Sequence, residues 1–474
     1  MSQPPAAWPP SVPPPSSAPT WRRSVPEEQP VPPARRGAWR DALHRSRRAA
    51  TTEPGRLRGL GAVLALLLLC FGALTAWQVS ERASAADAVI DRSQPLSENA
   101  AHLYRSLADA DTTAADGFLA GGEASRTVRE RYVRDIRRAS ELLAKAAADS
   151  ESSGAADREI AELNRELPHY TGLVGAAQAD NRQGLPLGGA YLRYANEQMH
   201  EKLLPSARDL HRAETARLRA DQARARSWPW AATAAGILAL GALGAAQRRH
   251  YLRTNRVLSP GLVGATAATL LALLWLTAAT ALARSSLDAA DEQGARSLHV
   301  LNEAWTGSLQ ARGAENMWLV TRGAGGLYEE RSVRLMERVA GPESGESRTP
   351  DGLLGEALEL ADDPAGRKPV ETARRALHDW RARHREAAAA EDAGDYAAAV
   401  ARVTGREADT TGEAFDRVST SLREASAHEQ AEFATAASDG RAALTGLAAG
   451  AAVLAVLGTA GVLFGIGRGL AEYR

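Results

Sequence analysis

Metal ligation and acid–base catalysis need imidazoles, thiols or carboxylates gathered on one face of an element. This chain offers little of that kind. It has 10 His and a single Cys, and His169, His200, His211, His299, His378, His384 and His428 are scattered along stretches of helical character. A helical zinc pair sits four residues apart, whereas His378 and His384 are six apart and share no face. No GxSxG elbow, P-loop or nucleotide fingerprint occurs. The histidines therefore read as ordinary surface or interface residues. No catalytic, cofactor or metal site is expected, and no enzymatic activity. The residues of chemical interest are arginines instead, above all Arg248, Arg249, Arg253 and Arg256 in the central stretch QRRHYLRTNR. They hold topology and attract anionic lipid headgroups, and they are the candidate contact for a cytoplasmic partner.

What positions those arginines is a set of four apolar segments, about 59–79, 228–246, 258–283 and 442–466. Each approaches the ~20 residues that a helix needs to cross a bilayer, and none has Asp, Glu, Lys or Arg in its interior. About 150 residues separate the first from the second, and again the third from the fourth. One plan, helix–large domain–helix, is thus written twice. Short Arg-rich flanks stay cytoplasmic while long domains translocate. Arg22, Arg23, Arg35, Arg36, Arg40, Arg45, Arg47, Arg48, Arg56 and Arg58 precede the first segment, and the basic stretch 247–257 joins the two pairs. The expectation is a multi-pass protein of the cytoplasmic membrane with both termini inside, including a short tail at 467–474, and with 80–227 and 284–440 outside.

A cleaved signal peptide, or a lipoprotein signal ending at Cys70, is the competing reading of the first segment. The long stretch before it and Leu69, where a small residue is required, weigh against both. Cys70 then reads as a lone buried thiol. With 1 Cys in the chain, neither outer domain can hold an internal disulfide.

Lys+Arg and Asp+Glu both total 57. With the basic charge explained by membrane flanks, no nucleic-acid partner is expected. Residues 1–55 form a Pro- and Arg-rich tail whose Pro-rich part reads as disordered. Polar groups are scarce in the apolar segments, which argues against a transport pathway.

The outer domains read as wholly helical. Leu96, Ala100, Leu103, Leu107, Ala110 and Ala114 alternate four and three apart, and Val128, Tyr132, Ile136, Ala139 and Leu143 make a second stripe. DSESSG is a loop. A helix over 156–180 is broken or bent at Pro168. The next carries Leu192, Met199, Leu203 and Leu210 down to Trp228 and Trp230, which suit a membrane interface. In the second half Leu287, Ala290, Gly294, Leu298 and Leu301 form the seam, GPESGESRTP and DDPAGRKP are breakers, and one long helix runs from about Asp395 towards Asp439. Phe118 against Trp318, and Tyr170 against Trp380, are local echoes between the halves. The expected fold is all-α: four transmembrane helices with two tandem extracytoplasmic four-helix bundles. Gly446-x-x-x-Gly450 and Gly461-x-x-x-Gly465 fit close helix packing in the last crossing. No signalling helix follows the second crossing, and only Arg468 to Arg474 follow the fourth, so a separate protein is expected to read any signal.

NRQGLPLGGAYLR at 181–193, GAENMWLVTRG at 313–323 and RTNRVLSPGLVG at 253–264, set in this layout, resemble the GlnX family of actinobacteria over about residues 56–470. The resemblance implies a transmembrane relay between GlnH, a solute-binding lipoprotein for acidic amino acids, and the cytoplasmic Ser/Thr kinase PknG. The outer domains would meet the lipoprotein, and the basic connection the kinase. It carries over no contact residues. A direct small-molecule sensor and a structural envelope scaffold are the other readings the residues allow.

Overall fold

The computed structural model describes residues 53–121, 126–149, 154–254, 260–289, 294, 296–322, 326–342, 352–404, 407–444 and 446–471. Among them every regular element is helical. The Pro-rich tail, most of DSESSG, most of GPESGESRTP and Arg256 lie outside these residues.

Helix α1 (Glu53–Ala88) carries the first apolar segment, then passes through one π-turn at Val89–Ser93 into α2 (Gln94–Leu119) without leaving helical geometry. Pro95 accounts for the turn. Its ring excludes the normal approach of the carbonyl four residues back, that of Asp91, and widening the helix by one residue relieves the clash. The π-turn buries Ser93, whose hydroxyl meets the Asp221 carboxylate. The same device recurs where Pro205 follows a π-turn at Met199–Leu203.

The first half continues with α3 (Arg126–Asp149), α4 (Ala156–Arg182), α5 (Leu187–Gln198) and, beyond the second π-turn, α6 (Leu204–Arg226). Helix α7 (Trp230–Thr254) and α8 (Pro260–Ala289) hold the second and third apolar segments. The second half comprises α9 (Arg296–Val320), α10 (Gly326–Ala340), α11 (Gly352–Leu360), α12 (Pro364–Asp392), α13 (Tyr396–Thr404) and α14 (Thr411–Leu444), and α15 (Leu447–Ala471) is the fourth apolar helix.

The heptad seam on α2 is buried throughout, from Leu96 to Ala114, and Leu192, Met199, Leu203 and Leu210 are buried as expected. The two halves do not stand as separate tandem bundles. Helices α2 and α9 pack against each other, and one hydrophobic cluster runs from Ala100, Leu107 and Tyr170 through Leu309 to Trp380 and Leu422. A stripe wider than one bundle needs is the cause: α2 also buries Ser106, Asp111, Thr112 and Thr113, and Thr112 Oγ1 donates to the Leu309 carbonyl of the second half at 3.3 Å.

Five other expectations change. Helix α4 continues through Pro168, and α12 starts within the supposed breaker, with Asp363 accepting from Gly366 N as its cap and Pro369 inside. The long last helix is two, because Thr410 accepts from Glu413 N and opens α14 afresh. Of the seam read in the second half, Gly294 and Leu301 are buried while Leu298 is only partly buried, packed against the Phe433 cluster, and the side chains of Leu287 and Ala290 lie outside the described residues. Cys70 is exposed, because α1 turns Leu64, Leu68, Phe71 and Thr75 inward instead.

Four helices are long and apolar enough to cross a membrane. They gather around Leu64, Leu68, Leu243, Leu262 and Val462 at one level and Val79, Ala232, Leu276 and Leu447 at another. Their outer faces display Leu66, Ile237, Leu271, Leu282, Val456 and Phe464 to the surroundings, the apolar belt that lipid requires.

Close approach joins α8 to α15. A Cβ on Gly261 would fall 2.4 Å from the Gly461 carbonyl oxygen, and one on Gly450 would fall 2.1 Å from the Trp275 ring. Gly461 and Gly465 thus form a packing face, while Gly446 has φ +80 and serves the turn into α15. Gly461→Leu is expected to destabilise the protein in detergent by about 1–3 kcal/mol of overpacking. Gly241→Leu, where nothing lies within 4 Å, should be close to neutral. Equal melting temperatures for the two variants would remove the close approach.

Candidate functional site

The centre of the helical domain beyond the apolar helices holds charge where a helical core normally holds leucine. Arg312 on α9 is 2% exposed and Glu315, one turn on, is fully buried. A buried guanidinium is tolerable only when its donors are met, and four groups do so. Nη1 donates to Glu315 Oε2 at 2.7 Å and to Thr411 Oγ1 at 2.8 Å. Nη2 donates to Asp116 Oδ1 at 2.8 Å and to the Val403 carbonyl at 2.9 Å. Asp116 belongs to α2, so the charge pairing crosses between the halves.

Neighbours complete the network. Asn316 Nδ2 donates to Asp116 Oδ1 at 2.8 Å and to the Thr112 carbonyl at 3.2 Å. Trp380 Nε1 donates to Glu315 Oε2 at 3.0 Å, and His384 Nδ1 lies 2.9 Å from Oε1. Phe415 and Trp318 wall it, the first in edge contact with Trp380 and the second with His384. Burial alone would raise the Glu315 carboxyl, but the His384 hydrogen bond and Arg312 outweigh it and hold it below its ordinary value. Asp116 goes the other way: burial raises it, and Arg312 and Arg131 offset only part of that. Three buried atoms, Arg312 Nε, Asn316 Oδ1 and His384 Nε2, have no protein partner.

The first half has its own buried carboxylate on α2. Asp111 accepts from Tyr170 Oη at 3.3 Å and Asn196 Nδ2 at 2.8 Å, with His200 Nε2 3.5 Å away. Each half therefore sets a buried aromatic on its third long helix, Tyr170 or Trp380, donating to a carboxylate on its central helix. Each of those helices then ends in a turn at a positive-φ glycine, Gly184 (φ 68) or Gly394 (φ 82), closed by Leu185 N to the Asp180 carbonyl and Asp395 N to the Ala390 carbonyl at 2.9 Å.

A second bridge strengthens the seam nearby. Arg131 of α3 pairs with Asp109 of α2 at 2.9 Å and with Asp416 of α14 at 3.0 Å. Burial, and then Asp109 beside it, push the Asp135 carboxyl up to about 7.

The sequence-derived arginines lie elsewhere. Arg248 and Arg249 are exposed at the end of α7. Arg253 falls in the last turn of α7, so most of the connection read as a loop over 247–257 is helix, and only 255–259 separate it from α8. Gln247 Nε2 ties the two helices by donating to the Leu262 carbonyl at 3.1 Å. The side chains of Arg253 and Arg256 lie outside the described residues.

Of the histidines, His384 is no surface residue, because Glu315 holds it in the core. His428 lies beside Asp363 and Glu432, near enough for one ion to be shared. Asp363 is already engaged in capping α12, so this trio reads as a surface charge pairing.

The family described as the actinobacterial sensor domain matches residues 85–223, which span α2 to α6 with the π-turns. No curated protein and no solved structure matches the chain. Residues 85–223 are thus similar to an actinobacterial sensor domain, which supports a signalling or sensing role.

Arg312→Ala leaves the buried Glu315 without its guanidinium and the half-buried Asp116 with Asn316 as its hydrogen-bond partner. Unfolding of the full chain in detergent, followed by circular dichroism, is expected to show a loss of about 3–5 kcal/mol. Arg417→Ala, at a solvent-exposed pair with Asp379, should cost under ~1 kcal/mol. Comparable losses for the two would deny Arg312 its structural role.

Proposed function

We propose that this protein is a transmembrane relay that carries an extracytoplasmic signal of amino-acid availability to a cytoplasmic Ser/Thr kinase without doing chemistry itself. The observation that carries the reading is the continuity of α1 and α2. One helix runs from the first apolar segment to Asp116, where it is bound to Arg312 of the other half. A shift or rotation at that contact passes along the helix into the bilayer with no soluble connector.

The matching Tyr170 and Trp380 contacts and the matching glycine turns support an ancient duplication of one sensor unit. The resemblance to the GlnX family supplies the partners: a solute-binding lipoprotein outside and a Ser/Thr kinase inside. Arginine placement supports both termini and residues 247–257 lying in the cytoplasm. On this reading Arg248, Arg249, Arg253 and Arg256 contribute to the kinase contact as well as to topology and lipid anchoring.

The test is the double substitution Arg253→Gln with Arg256→Gln in the native host, leaving Arg248 and Arg249 to hold the topology. Protease added to spheroplasts should still cut only within 80–227 and 284–440. The change in kinase-substrate phosphorylation after amino-acid addition should fall several-fold. Normal insertion with full signalling would make the connection an anchor alone.

A further inference from the structure

A groove of about 300 Å³ opens between the two halves, closer to the membrane end of α2 than the Arg312 network. Arg105, Arg208 and Arg212 line it from the first half, and Asn302, Glu303 and Arg338 from the second. Four guanidiniums thus share it with one carboxylate, and two of those four are already engaged. Arg212 pairs with Asp209 at 2.9 Å, and Arg338 reaches Glu303 at 3.5 Å. Arg105 and Arg208 have no ion-pair partner among the described residues.

Arg105 is the anomaly. It is 6% exposed, and a charge buried that deeply is normally paired. Here it meets only neutral groups. Nη1 donates to Asn302 Oδ1, Nη2 lies 2.9 Å from His102 Nδ1, and the guanidinium stacks on Trp305 at 4.7 Å. Burial, then Arg138, lower it to about 10, against a smaller opposing pull from Glu98. Burial, then Arg105 and Arg138, hold His102 down to about 4, so that ring accepts the hydrogen bond rather than adding charge. These contacts orient Arg105 rigidly without neutralising it. Arg208 stands at the rim. Its Nη2 donates to Tyr104 Oη at 3.3 Å, and Gln310 Nε2 donates to the same oxygen at 2.6 Å.

We infer that this groove is a binding site for a small dicarboxylate, one carboxylate taken by Arg105 at the floor and the other by Arg208 at the rim. A guanidinium offers a planar fork that fits a carboxylate through two parallel hydrogen bonds. The volume is at the small end of the range for ligand sites, which suits a metabolite rather than a peptide. Because the walls come from both halves, an occupant ties α2 and α6 to α9 and α10. Binding is therefore linked to the relative placement of the halves. The inference goes beyond the relay reading and needs neither lipoprotein nor kinase, so the two succeed or fail separately.

The test uses the full chain in lipid nanodiscs, with succinate and inorganic phosphate titrated in separate calorimetric and thermal-shift experiments. Saturable succinate binding at millimolar or lower concentration, with a raised melting temperature, is expected. Arg105→Met should fold as well as the parent, since a buried unpaired charge is replaced by an apolar chain of similar length. It should bind succinate about tenfold or more weakly. Arg208→Gln, at the exposed rim, gives the same reading if Arg105→Met does not fold. The proposal is overturned if the parent shows no saturable succinate binding, or if the folded variants bind as the parent does. Phosphate binding more tightly than succinate also overturns the dicarboxylate assignment.

Discussion

A guanidinium in the middle of a helical core needs its charge paired, and Arg312 draws its partners from four helices. Glu315 comes from its own helix, Asp116 from α2, the Val403 carbonyl from α13 and Thr411 from α14. An ion network of this kind contributes little net stability compared with well-packed apolar residues, but breaking it is costly. Its effect is therefore to specify which surfaces meet. Only one register of α2 against α9 puts Asp116 on Arg312 and also lets Asn316 reach the Thr112 carbonyl. The shared core, the groove between the halves and the Arg131 bridge to Asp109 and Asp416 all depend on that register.

The membrane segments are organised by a different constraint. Between lipid-facing helices there is no hydrophobic gain from association, so close packing of small residues sets the contacts. Gly261 lies against Gly461 and Gly465, and Trp275 fills the space over Gly450. The outer domain is specified by polar pairing in a dry interior and the membrane domain by small-residue contact. The unbroken α1–α2 helix joins the two regimes. Its π-turn accommodates Pro95 at the base of the outer domain, where Ser93 and Asp221 hold it against α6.

Much of the fold was legible in the residues. The four-three spacing from Leu96 to Ala114 marks a face that is buried in fact, and the apolar segments coincide with the helices able to cross a membrane. Proline was misleading in one direction only: Pro168 and Pro369 stay inside helices, and Pro95 and Pro205 are absorbed by π-turns. The break before α14 was signalled by the spacing Thr410-x-x-Glu413, a capping box hidden in a stretch that otherwise reads as continuous helix. The joining of the halves left a fainter trace. Thr112 extends the α2 stripe towards the Leu309 carbonyl, yet in a chain that is 24% charged nothing marks Arg312 or Glu315 as interior or Asp116 as their partner. The one local signal is their setting: Arg312 and Glu315 sit among Gly313, Ala314, Asn316 and Trp318, small and aromatic residues that suit a covered helix.

Held together at Arg312, the two halves should respond as one body. Hydrogen–deuterium exchange of the full chain in lipid reads this helix by helix. In the parent protein, α2 and α9 are expected to share the slowest exchange of the outer domain. With Arg312→Ala, exchange should accelerate in both, although the substitution lies on α9 alone. Loosening confined to α9, with α2 protected as before, would mean that the halves are independent bundles and would contradict the account.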